Sequence, residues 1–170
     1  MITTHPDRLL SAAKVLIKIV RLLLKLAILG AGVGAALGIA SHLKLGFQLP
    51  SEAAAVAPWS SSAALALMIP VLLLALRFFR HLLEIVDSVA EGDPFMPANA
   101  ERLEQMGWLS LWMALIPLAL KLIGIFGDGA ALGYKFGFSL PGVIMVLVLF
   151  ILARVFRHGT AMREELEGTI

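Results

Sequence analysis

A helix that crosses a bilayer needs about 20 consecutive, largely apolar residues, and this chain has four stretches of that kind. The first spans residues 22–43, with no acidic or basic residue after Lys25. The second spans about 63–83 and lies partly in an uncharged run that begins at Ala53. The third covers about 106–126, interrupted only by Lys121, and the fourth covers about 136–156. Composition leads to the same solvent. Of 170 residues, 59% are hydrophobic and 15% charged, against roughly 45–50% and about 25% in a soluble domain. That excess exceeds what a water-soluble core can bury, so lipid must cover much of this surface. The expected fold is an all-α membrane protein: one domain over residues 1–170, built as a four-transmembrane-helix bundle. Pro70 and Pro117 fall inside spans two and three, where they kink a helix and leave the freed carbonyls to neighbouring helices.

Four spans place both termini on the same side, and the basic residues choose that side. The N-terminal segment, middle loop and tail hold eleven: Arg8, Lys14, Lys18, Arg21, Lys25, Arg77, Arg80, Arg102, Arg154, Arg157 and Arg163. The two opposite loops hold only Lys44 and Lys135. The termini and middle loop are therefore expected to be cytoplasmic. Trp59 and Trp108 stand near span ends, where amphipathic rings anchor at the interface. Gly38-Ile39-Ala40 would fit a signal-peptide cleavage site. The basic segment before it is long, however, and carries Leu and Ile between its charges at helical spacing, which favours an uncleaved span.

Two short patterns recur in the same order. Lys44-Leu45-Gly46-Phe47-Gln48-Leu49-Pro50 is echoed by Lys135-Phe136-Gly137-Phe138-Ser139-Leu140-Pro141. Arg77-Phe78-Phe79-Arg80-His81 is echoed by Arg154-Val155-Phe156-Arg157-His158. Together they suggest two repeated helical hairpins related by an axis along the membrane normal, the first enlarged by residues 51–64. The alternative is coincidence, because such residues are common at interfaces. The alternating segments 44–49 and 135–140 can also pair as a short outer two-strand element.

From the end of span two onward, Phe78, Phe79, Leu82, Leu83, Val86 and Val89 continue a helical pattern. Gly92-Asp93-Pro94 ends it, and Pro97 suits the first turn of a new helix leading into span three. Residues 77–108 thus form an amphipathic cytoplasmic elbow, and residues 157–170 a short acidic cytoplasmic tail. The elbow lacks a basic recognition face, and the net charge is only +2, so no direct nucleic-acid binding is expected. The tail reads first as a solvated helix end. Its sharper reading is a docking peptide with Leu166 and Ile170 as apolar anchors.

Residues with chemical potential are few. There is no cysteine, which excludes disulfides and thiolate chemistry. No two of His5, His42, His81 and His158 have the i, i+4 spacing of a helical zinc site, although His81 and His158 occupy equivalent echo positions. No nucleophile–base set, carboxylate pair or metal-ligand cluster is present, so no enzymatic activity, cofactor or metal is expected. Lys121 is an intramembrane charge and hence a functional candidate. One turn from the interface it can instead snorkel, or pair with Asp128. Gly30, Gly34 and Gly38 form overlapping G-x-x-x-G motifs that let helices approach closely. Their partner is either another span of the bundle, which is preferred, or a second copy in a homo-oligomer.

Three linked stretches resemble a bacterial membrane family, the domain of unknown function 2975. Residues 80–95, ending Glu91-Gly92-Asp93-Pro94-Phe95, resemble its R-x-G-x-P-F elbow. Pro97, Asn99, Arg102-Leu103 and Gly107-Trp108 resemble its P-E-N-x-R-R-L-R-R-I-G-W run. Arg154 to Gly159 and Met162 to Ile170 resemble its V-F-R-x-G-x-x-L-R-E-D-x-E-x-T-V ending. Glu101, Glu104 and Gln105 depart from the family's frequent arginines, which weakens any role for a basic loop. The resemblance implies a bacterial inner-membrane protein without established activity. Genes of that family often lie beside a small helix-turn-helix regulator, which implies a regulatory or sensory protein that docks a cytoplasmic partner. On that view Arg80, Asp93, Pro94, Phe95, Arg157, Arg163, Glu164, Glu165 and Leu166 form the docking face. A small transporter, channel or lipid-binding module, or a structural subunit of a membrane complex, is the alternative.

Overall fold

The computed structural model describes residues 8–43, 59–122 and 140–167. They form four helices: α1 (Arg8–His42), α2 (Trp59–Ala90), α3 (Pro97–Leu122) and α4 (Leu140–Glu167). Leucine- and alanine-rich sequence without an interior proline carries α1 unbroken through 35 residues. Pro70 and Pro117 are accommodated inside α2 and α3. Pro97 opens α3, at a position where its missing N–H leaves no hydrogen bond unmade.

At 1.5 Å per residue, α1, α2 and α4 are roughly 52, 48 and 42 Å long, well beyond the ~30 Å of bilayer hydrocarbon. The surplus carries the charges. The apolar first span is continuous with the basic segment from Arg8 to Lys25, and the expected tail is the end of α4 itself, helical through Glu167. Among the described residues, the stretches long and apolar enough to cross a membrane are Arg8–Ser41, Leu65–Ala90 and Leu140–Leu166. The third expected span falls on α3 and runs past Leu122, beyond the described residues. Of the segments expected to pair as outer strands, Leu140 opens α4; the other residues lie outside the described ones.

The helices pack mainly in chain order, α1 on α2, α2 on α3 and α3 on α4. The first two are antiparallel, since Lys14 near the start of α1 meets Asp87 near the end of α2. Farther along, Gly34 faces Leu65. The principal core lies at the Arg-rich end, where Leu103 and Met106 of α3 meet Leu149 and Ala153 of α4. Phe78, Leu82 and Ile85 of α2 close over it, together with Phe156. Elsewhere apolar side chains face outward, among them Leu22, Leu26 and Leu29 on α1 and Ile144, Val148 and Ile151 on α4.

Small residues bring α1 and α2 together. Ala31, Ala35 and Gly38 are buried, and a Cβ added to Gly34 would sit 3.2 Å from the Leu65 side chain. Gly30 is off this seam, and a Cβ added there would meet nothing within 4 Å. We expect Gly34→Val to lower stability by about 1–3 kcal/mol through overpacking. Gly30→Ala should be neutral or stabilising by up to about 1 kcal/mol, as helical Gly→Ala changes are. Thermal unfolding of the full chain in detergent checks the contrast; equal effects would remove Gly34 from the seam.

Candidate functional site

The polar residues of the Arg-rich end are organised around the break between α2 and α3. Gly92 adopts φ +90°, a left-handed conformation that costs an L side chain roughly 1–2 kcal/mol. Its N–H bonds to the Val89 carbonyl and the Asp93 N–H to the Ser88 carbonyl, the paired bonds of a glycine-terminated helix. The chain re-enters helix at Pro97, and the side chain that fixes the corner is Asn99, which is 0% exposed. Its Nδ2 donates to Ser88 Oγ at 2.6 Å and to the Pro94 carbonyl at 2.9 Å. Its Oδ1 accepts from Arg102 Nη1 at 2.8 Å. Ser88 in turn donates to the Ile85 carbonyl. A buried amide with both donor hydrogens used and its oxygen occupied rigidifies a corner, because every alternative arrangement leaves one of these groups unpaired.

From this node an ion-pair chain runs across α2. Arg102 Nε lies 3.2 Å from Glu84 Oε2, and Arg80 Nε bonds Glu84 Oε1 at 3.0 Å. His81 Nδ1 is 3.6 Å from the same carboxylate. One carboxylate thus meets two guanidinium groups and an imidazole, from two helices. Lys14 reaches Asp87 at 2.8 Å and attaches α1 to the same end.

α4 joins through a different kind of contact. Arg157 bonds Glu104, and Arg163 bonds Asp93, 70 residues away in sequence. Both pairs are substantially exposed, and such pairs contribute only about 0–1 kcal/mol each. Packing supplements them. Phe95 lies against Phe156 with ring centroids 5.2 Å apart. Gly159 lets the Phe95 ring approach so closely that an added Cβ would stand 3.1 Å from it. Thr160 is buried beside it, its hydroxyl returned to the Phe156 and Arg157 carbonyls. The α2–α3 corner is therefore held by a buried network, and the end of α4 by surface pairs and one aromatic contact.

Most of the residues expected to form a docking face have partners within the chain. Arg80 pairs with Glu84, Asp93 with Arg163, and Arg157 with Glu104, while the Pro94 carbonyl accepts from Asn99. Phe95 is 45% and Leu166 72% exposed. Glu164 and Glu165 are exposed on the last turns of α4, with Glu165 also engaged in an interaction. His81 joins the Glu84 cluster, whereas His158 lies exposed on α4 near Phe95, so the echo positions have different surroundings. The Lys121 side chain is outside the described residues. Among the described residues, no group of three or more His, Cys, Asp or Glu converges to hold a metal ion.

Sequence reasoning passed over Asn99, Ser88 and Glu84 as site residues. A signal for the first was present: Asn99 shares the apolar stripe of α3 with Leu103 and Met106, at i, i+4 and i+7. A polar residue on a core stripe calls for a buried partner. Ser88 likewise continues the stripe of Leu82 and Ile85 on α2.

Long apolar helices, outward-facing leucines and isoleucines, and charges gathered at one end define a multi-pass α-helical membrane protein. Residues 44–170 match the family described as "Protein of unknown function (DUF2975)". The chain belongs to that family. The matched region includes the whole Asn99 node and both α4 ion pairs, and α1 precedes it. No curated protein and no solved structure matches the chain.

Proposed function

We propose that this is a non-enzymatic regulatory or sensory protein of the bacterial inner membrane. Both termini and the 77–108 elbow face the cytoplasm, and the elbow and the end of α4 form one docking face for a cytoplasmic partner. The supporting observation is the Asp93–Arg163 pair, which joins the helix break to the last turns of α4. Two segments remote in sequence thereby present a composite surface, as a docking face requires. Exposed Glu91, Glu101, Glu164 and Leu166 supply its acidic and apolar character. The exposed carboxylates among them suit basic side chains on a protein partner. The partner class that fits, on the family resemblance, is a helix-turn-helix regulator.

The contrast in attachment strength supports the regulatory part of this reading. A surface clamp of small free energy can open at modest cost, while the buried Asn99 corner holds the remaining architecture. The transporter alternative depends on Lys121, whose side chain lies outside the described residues.

Co-expression of the full chain with a helix-turn-helix regulator from the same genome, followed by affinity capture in mild detergent, tests the proposal. We expect capture by the intact chain and at least a tenfold loss on deleting residues 163–170, with helical content retained. Failure of the intact chain to capture that regulator would overturn the docking reading.

A further inference from the structure

On the outer side of α4, where its apolar span gives way to charge, lies an open groove of about 1050 Å³. Its lining divides into two kinds of residue. Ile151, Val155, Met162 and Phe95 are apolar, while Arg154 supplies a guanidinium and His158 an imidazole. We propose that this groove is a binding site for an anionic phospholipid of the leaflet at the Arg-rich end. The proposal rests on the multi-pass reading alone and is independent of any protein partner.

Three observations select this occupant. The first is continuity with the lipid-facing surface. Ile144, Val148, Ile151 and Val155 recur at i, i+4, i+7 and i+11, and each is at least half exposed. This stripe faces outward through the apolar length of α4 and enters the groove at Ile151 and Val155, so an acyl chain lying along it reaches the groove without leaving hydrocarbon. The second is charge. Arg157, which also borders the groove, is committed to Glu104. Among the described residues no carboxylate forms an ion pair with Arg154 or His158, and both are exposed. They stand within a turn of the last apolar groove residues of the span, where phosphates of a bilayer lie. The third is shape. The Phe95 ring, held against Gly159 and Phe156, forms a fixed side wall, which a flat cationic surface would lack.

The chemistry is a phosphodiester paired with Arg154, whose planar guanidinium can engage two phosphate oxygens. His158 adds a second donor, and acyl methylenes lie against Ile151 and Val155. A zwitterionic lipid offers the same phosphate, but its own ammonium group competes for it. Binding should therefore discriminate by net headgroup charge. Arginines near an anionic membrane surface each contribute an interaction equivalent to about fivefold in affinity.

The test uses the full-length chain in detergent, titrated with phosphatidylglycerol or with phosphatidylcholine of identical acyl chains. Retained lipid is counted by native mass spectrometry. We expect phosphatidylglycerol to be retained about tenfold more tightly, and the preference to fall below about twofold in the Arg154→Gln/His158→Gln double variant. Lys18→Gln, an exposed basic change at the same end on α1, should leave the preference intact, and inorganic phosphate in excess should not displace the lipid. Equal retention of the two lipids by the unaltered chain would overturn the proposal. So would a preference that survives the double variant in chains of unchanged helical content. An equal loss with Lys18→Gln would show diffuse attraction instead, and displacement by inorganic phosphate would show a soluble-anion site.

Discussion

Replacing Asn99 with Ala should lower the stability of the chain by about 2–3 kcal/mol, a fall of roughly 4–12 °C in apparent Tm for a protein of this length. The substitution removes a side chain that is fully buried and makes three hydrogen bonds. The Pro94 carbonyl then loses this donor, and Arg102 loses an acceptor while keeping Glu84. Asn99→Asp sharpens the distinction. A carboxylate retains an acceptor for Arg102 but has no hydrogen to offer Ser88 or Pro94, so it too should destabilise. Glu101→Ala, two residues away and exposed, should change stability by less than about 0.5 kcal/mol. Thermal unfolding in detergent separates these cases, and an Asn99→Ala variant as stable as the parent would refute the buried-node account of the corner.

Met106→Ala should cost about 2–4 kcal/mol, whereas Leu147→Ala on α4 should cost under about 0.5 kcal/mol. Both remove an apolar side chain from a helix, and hydrophobicity alone would rank leucine as the more damaging loss. The difference is what fills the vacated space. Met106 is 2% exposed, packed with Leu103, Leu149 and Ala153, and its truncation leaves a void that the surrounding helices close only in part. Leu147 is 56% exposed on a surface covered by lipid, whose chains move into the gap. Lipid is as apolar as leucine, so association within the bilayer depends on packing contacts and not on escape from water. Comparable losses for the two variants, measured under the same detergent conditions, would show that the core at this end is not close-packed.

Several local features are legible from residue order. The apolar runs locate long helices, and Gly92 and Pro97 mark where one ends and the next begins, because φ preference and a missing N–H act within a turn of the residue concerned. Helix ends are harder to place. The apolar pattern puts a first span from residue 22, yet α1 starts at Arg8. A basic segment with leucines between its charges can remain helical after it leaves hydrocarbon, and hydropathy marks only where the solvent changes. The three glycines of the first span illustrate a related limit. Their spacing marks a close-packing face, but the rotation of α1 against α2 decides that Gly34 meets Leu65 and Gly30 meets nothing.

The ion pairs are least legible of all. Asp93 and Arg163 are each conspicuous as charges beside motifs, but nothing local joins residues 70 positions apart. Asn99 is readable as a polar residue on an apolar stripe, while its partners, Ser88 and the Pro94 carbonyl, lie across a helix break. By itself the sequence determined the solvent, the helical class and the position of the central break, because each follows from sums over about 20 residues or from the backbone limits of one. Only the tertiary structure decided which charges neutralise each other and which remain turned outward. Those pairings depend on the register and rotation of helices packed against one another, which no single segment specifies.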